Sequence, residues 1–123
     1  MKMKTIVDAS PVLRRLSEQP MTIRYAYRLA RLIGKINEPL AFYDKRIAEI
    51  TEKYFDSGEG GELVQKVGCQ EQIDREVGEL LNLDLEQEIA PVEIPEAETV
   101  TISAAELILL DGIVKIAEEG ENA

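Results

Sequence analysis

The chain has 123 residues, 45% of them apolar and 31% charged, a balance that excludes wholesale disorder and suits a single domain. Lys and Arg total 14 against 24 Asp and Glu, there is no histidine, and Cys69 is the only cysteine. Those counts exclude an internal disulfide and remove the commonest neutral-pH base and metal ligand. The apolar run at 107–110 is too short to span a membrane.

Lys2 and Lys4 lead into Thr5, Asp8 and Pro11 rather than an apolar block, so no secretory leader is read. Residues 2–7 alternate basic and apolar side chains and predict a short strand. Asp8, Ser10 and Pro11 form a helix start, with Pro11 suited to the first helical position and Ser10 to the cap. Val12, Leu13 and Leu16 supply the apolar face of a short helix ending before Pro20.

The strongest pattern spans 22–55. Ala26, Leu29, Ile33, Ile36, Leu40, Tyr43, Ile47, Ile50 and Tyr54 recur at alternating intervals of three and four, a narrow seam that predicts one long helix. Pro39 lacks a backbone donor and clashes with the carbonyl of Lys35, so a kink is expected there. A helical hairpin turning at 37–39 is the weaker alternative, because a turn would disrupt the register.

Gly58, Gly60 and Gly61 mark a loop or hairpin turn, followed by a weak strand over 62–67. A helix precedes these glycines and acids flank them, which disfavours a phosphate cradle. Cys69 has no second cysteine or histidine with which to form a dyad or metal site, and reads as a buried or half-buried thiol. Residues 72–83 form a helix with Ile73, Val77, Leu80 and Leu81 inward. Extended segments follow at 87–94 and 98–102, the first confined to an edge or a surface arm by Pro91 and Pro95. Ser103 and Glu106 form a capping box heading a C-terminal helix over 103–117. That helix is apolar on most sides through Leu107, Ile108, Leu109, Leu110, Ile113, Val114, Ile116 and Ala117, which assigns it to the core or a subunit interface. Residues 118–123 read as a frayed tail. The expected fold class is α+β, mainly helical: a long kinked helix and a C-terminal helix packed with a small antiparallel sheet drawn from 2–7, 62–67, 87–94 and 98–102. One domain covers 1–123.

Charge is distributed unevenly. Residues 1–55 hold 11 basic and 6 acidic side chains, whereas 56–123 hold 3 basic and 18 acidic. Arg24, Arg28, Arg31 and Lys35 recur at four, three and four residues and make one basic stripe, flanked by Tyr25 and Tyr27. The stripe suits an acidic partner, or pairing with the acidic half of the chain. The negative balance disfavours nucleic acid. Glu86, Glu88, Glu93, Glu96 and Glu98 form an acidic row at spacings an extended chain sets about 7 Å apart on one face. Such a row imitates a phosphate backbone, and it also resembles an ordinary charged edge strand.

Catalytic chemistry is poorly provided for. A nucleophilic triad lacks its histidine, and Ser10 and Ser103 are explained as caps. A carboxylate metal site around Asp84, Glu86 and Glu88 lacks the glycine of a calcium loop. No enzymatic activity and no cofactor are expected.

The segments RYAYRLARLIGKINEPLAFYDKRIAEITEKYFDSGEGGE (24–62), REVGELLNLDLE (75–86) and VTISAAELILLDGIV (100–114) resemble small phage and prophage proteins of Gram-positive bacteria, a group with no assigned activity. The resemblance implies a phage product acting in the host bacterial cytoplasm or in the virion. The function expected is a non-enzymatic one exercised through protein–protein contacts, as a structural or assembly component. The alternative is an acidic inhibitor that mimics nucleic acid toward a host defence complex. A homodimer or larger assembly is expected from the narrow seam and the apolar C-terminal helix, with Ile36→Asp expected to dissociate or unfold it.

Overall fold

The computed structural model describes residues 1–86, 89–95 and 100–117. Its elements are α1 (Met3–Ser17), α2 (Ile23–Tyr54), β1 (Phe55–Ser57), β2 (Leu63–Gln65), α3 (Gln70–Leu81), β3 (Val92–Pro95), α4 (Ala104–Leu109) and β4 (Val114–Ala117). The fold is mainly helical α+β, with one dominant long helix.

Helix α1 overturns the predicted strand at 2–7. Met3, Ile6, Ala9, Leu13 and Leu16 are all fully buried and recur at three and four residues, so the stripe begins well before Pro11. Six residues of alternation were too few to separate the two periods, and burial against α2 decided for the helix. Pro11 therefore lies inside the helix rather than at its first position, and Ser10 is a buried interior residue rather than a cap. The true start is tied by backbone bonds: Met3 N–H donates to the Leu83 carbonyl at 2.9 Å, and Leu85 N–H donates to the Met1 carbonyl at 2.8 Å. These form an antiparallel bridge between Lys2 and Asp84 that satisfies one orphan donor of the first turn.

Helix α2 runs unbroken through Pro39 for 32 residues, so the single helix rather than the hairpin is formed. Leu29, Leu32, Ile36 and Leu40 turn toward α1, and Ile50 lies in the half that packs on α3. Ala26, at the head of the predicted seam, is exposed. After Tyr54 the chain enters the β1–β2 hairpin, with Phe55 opposite Gln65. Its turn is closed by Gly58 N–H donating to the Glu62 carbonyl at 2.6 Å, and Gly60 and Gly61 adopt φ of 85° and 84°, which only glycine takes without strain.

The C-terminal region departs most from expectation. The predicted helix at 103–117 stops at Leu109. Its head is the expected capping box: Ser103 Oγ accepts from the Glu106 N–H at 3.1 Å, and Glu106 Oε1 accepts from the Ser103 N–H at 3.0 Å. The Asp111-Gly112 turn then reverses the chain, with Gly112 at φ 81°, and 114–117 become strand β4. Strand β4 pairs in parallel with β3, Val92 opposite Val114 and Ile94 opposite Ile116, and α4 lies in the crossover that parallel strands require. Among the described residues the expected small antiparallel sheet is the two-stranded β1–β2 pair, and β3–β4 form a separate parallel pair. Residues 100–102 are not a strand, and Gln87, Glu88, 96–99 and 118–123 lie outside the described residues. Leu107, Ile108 and Leu109, expected in the core or at an interface, are exposed, whereas Leu110, Ile113 and Val114 are buried with α1, α2, Ile89 and Ile94.

Gly112 offers a direct check on this turn. A Cβ there meets nothing within 4 Å, so Gly112→Ala adds backbone strain without a clash. It is expected to lower unfolding stability by about 1–2 kcal/mol in urea melts. An unchanged or raised midpoint would contradict a left-handed residue at this position.

Candidate functional site

Arg24, Arg28, Arg31 and Lys35 fall on one face of α2, as their spacing predicts, and all four are exposed. Arg28 lies 5.5 Å from the Tyr25 ring centre and Arg31 5.9 Å from that of Tyr27. None of the four cations forms an ion pair among the described residues.

The same face continues down the helix through Glu38, Phe42, Arg46 and Glu49 at steps of three, four, four and three. The segments 83–86 and 89–93 lie alongside it, and with it they line a succession of shallow grooves. Arg28, Arg31, Leu32 and Lys35 face 90–93 across a groove of about 400 Å³. Next, Glu38, Pro39 and Phe42 face Met3, 83–86 and Ile89 across one of about 470 Å³. A third, of about 200 Å³, shares Phe42 and Leu83 with the second and adds Arg46, Ile50, Glu76, Glu79 and Leu80. The floor of the middle section is apolar, with Phe42 48% and Leu83 42% exposed. Its rim is acidic. Asp84 is engaged by Lys2 at 3.6 Å, while Glu38, Glu79 and Glu86 form no ion pair among the described residues.

Of the predicted acidic row, Glu86 and Glu93 are exposed, and Glu88, Glu96 and Glu98 lie outside the described residues. Glu93 lines the groove that carries Arg28, Arg31 and Lys35, and it stands opposite Lys115 in the β3–β4 register. In this stretch the acids are interleaved with cations, and the helical stripe and strand β3 are brought together. Sequence reasoning missed Phe42, Leu83, Glu38 and Glu79. Phe42 was findable as the continuation of the basic stripe seven residues beyond Lys35. The segment that forms the opposite wall was not findable, because it is irregular and distant in sequence.

Two ion pairs tie the periphery together. Arg15 of α1 grips Glu106 in a bidentate pair, with Nε–Oε2 and Nη2–Oε1 both at 2.6 Å, and Nη2 also donates to the Thr101 carbonyl at 2.9 Å. Gln19 adds a reciprocal pair with the Thr101 backbone at 2.9 and 2.7 Å. The Arg15 guanidinium and the Ser103 backbone N–H hold the Glu106 carboxyl below its ordinary value. At the other end of the molecule, Lys53 of α2 meets Glu76 of α3 at 3.4 Å. The neighbouring Tyr54 hydroxyl lowers Glu76 most, followed among the favourable influences by Lys53, although Glu76 Oε2 has no partner in hydrogen-bond geometry among the described residues. Tyr54 and Glu76 in turn raise Lys53.

Both carboxylates have lowered folded-state values, so their contribution is complete above the ordinary value of 4.5 and is lost as the pH falls through the folded values. The raised Lys53 contributes fully below 10.5 and is lost as the pH rises beyond it. Glu106→Gln is expected to be less stable than the parent at neutral pH and to lose less on acidification below 4.5, measured by urea melts across pH. Parallel pH profiles for the two proteins would show that the Arg15 pair does not contribute.

Among the described residues no three His, Cys, Asp or Glu gather to hold a metal ion, and no helix is long and apolar enough to cross a membrane. Cys69 is half-buried and unpaired with sulfur, as a lone thiol must be. No protein-family model, curated protein or solved structure matches this chain.

Proposed function

We propose that this is a non-enzymatic protein that works through protein–protein contact, as a structural or assembly component of the phage type its sequence resembles, in the host bacterial cytoplasm or in the virion. The observation that carries the reading is the surface along α2. Exposed cations, exposed Tyr27 and Phe42, and unpaired rim carboxylates lie on one continuous face, and aromatic anchors with arginine are what interface centres concentrate. Protein partners, including further copies of the chain, satisfy such a face, and no cofactor is required. Nucleic-acid mimicry is the weaker reading, because Glu93 shares its groove with Arg28, Arg31 and Lys35 rather than presenting an uninterrupted anionic edge.

The test is affinity capture from phage-infected host cells at low and at high salt. Recovery of the phage's own structural proteins at both salt concentrations is the expected result. Recovery of a DNA- or RNA-processing complex that is lost at high salt would instead support mimicry, since screening weakens competing surface charge. A small-molecule turnover that depends on one carboxylate would defeat the non-enzymatic reading altogether.

A further inference from the structure

We infer that the groove along α2 binds a second copy of this chain in antiparallel orientation, giving a two-fold dimer. The inference rests on the reading of the protein as one that acts by protein contact, and it names the partner of that surface.

The argument is one of order along the groove. Its N-terminal section is basic, with Arg28, Arg31 and Lys35. Its middle is apolar around Pro39, Phe42 and Leu83. Its far section presents Glu79 as the unpaired carboxylate, beside Glu76, which Lys53 holds, and Arg46, which Glu49 holds. At 1.5 Å of rise per residue, Arg31 lies about 12 Å before Pro39, and Arg46, beside Glu79, lies about 10 Å beyond it. A two-fold axis passing near Pro39 therefore lays the apolar middle of one copy on that of the other. It also sets the cations of each copy over the carboxylates of its partner, twice, as an isologous contact requires. Parallel stacking would set cation on cation. The groups concerned are uncommitted: Arg28, Arg31, Lys35, Glu38, Glu79 and Glu86 form no ion pair among the described residues. Phe42, half exposed, is one of two phenylalanines in a chain without tryptophan, and burying it supplies the anchor such an interface needs.

The chain's net charge of −10 opposes this association at long range, so the dimer is expected to tighten as salt rises from very low values, and then to weaken as the local pairs are themselves screened. The decisive experiment uses complementary charge reversal, read by sedimentation equilibrium, with far-UV circular dichroism confirming that each variant is folded. The wild type is expected to be dimeric at high micromolar concentration. Arg31→Glu with Lys35→Glu, and separately Glu79→Lys with Glu86→Lys, should each weaken the dimer by at least about tenfold. Mixing these two variants should restore a heterodimer, because each reversed section then meets its opposite charge. Phe42→Ser, at an exposed position, should also dissociate the dimer without loss of fold. A monomeric wild type, failure of the mixture to reassociate, or recovery of open polymers in place of dimers would each overturn the inference. A monomeric wild type that still captures phage structural proteins would leave the broader reading standing while removing this one. A dimer rescued as described, from a protein that proves to be an enzyme, would do the reverse.

Discussion

Ile36→Asp is expected to unfold the protein outright. Ile36 is 2% exposed and sits among Leu29, Leu32 and Leu40 on the face of α2 that α1 covers. Losing the side chain alone removes packing worth about 2–5 kcal/mol, as large-to-small changes in cores do. The replacement then places a carboxylate in an apolar cluster, at a further cost of several kcal/mol whether it ionises or takes up a proton. Against a total stability of about 5–15 kcal/mol for a domain of this size, the sum leaves little folded population. Far-UV circular dichroism and proteolysis at room temperature read the result, and a cooperative thermal transition close to that of the parent would contradict the burial. Because Ile36 is covered within one chain, this substitution reports on the fold and not on assembly, contrary to the expectation from the bare seam. Substitutions at Phe42 and along the groove are the ones that report on assembly.

A second large effect is expected at Ile113, set against its near neighbour Ile108. Ile113 is fully buried, and its carbonyl accepts from the Val92 N–H at 2.9 Å, where β3 and β4 begin to pair. Ile113→Ala should lower stability by about 2–5 kcal/mol. Ile108, 75% exposed on α4, should change it by no more than about 0.5 kcal/mol when replaced by alanine. Urea unfolding of the two variants reads the difference. Comparable losses at both positions would be inconsistent with a helix that stops at Leu109 and a strand that starts at Val114.

These contrasts mark where sequence periodicity carried information and where it did not. The seam from Leu29 to Tyr54 was legible because its three-and-four spacing persists over many turns, which no strand can imitate. The capping box of Ser103 and Glu106 was legible because both halves of its bonding are local. Met3, Ile6 and Val7 were misread because a window of six residues fits either period, and the face of α2 that settles the matter lies elsewhere in the sequence. Ile113, Val114 and Ile116 were misread because a segment apolar on nearly all sides has no direction, and Asp111-Gly112 is its one local turn signal. The basic stripe was placed correctly from spacing alone. Its opposite wall was not, because Leu83 and Leu85 are held by backbone bonds to Met3 and Met1, and Ile89 by packing, neither of which leaves a periodic trace.

The way α1 is held has a consequence for biosynthesis. Arg15 finds Glu106 across 91 residues of sequence, and Met3 finds Leu83 across a comparable span. Helix α1 is therefore completed by segments synthesised long after it. Helix α2 can cover part of the early apolar face, but Leu110, Ile113 and Val114 close the core only once that later segment has been made. A nascent chain paused before that point holds Ile6, Leu13 and Leu16 without their final neighbours, which makes the elongating chain a natural client for holdase chaperones.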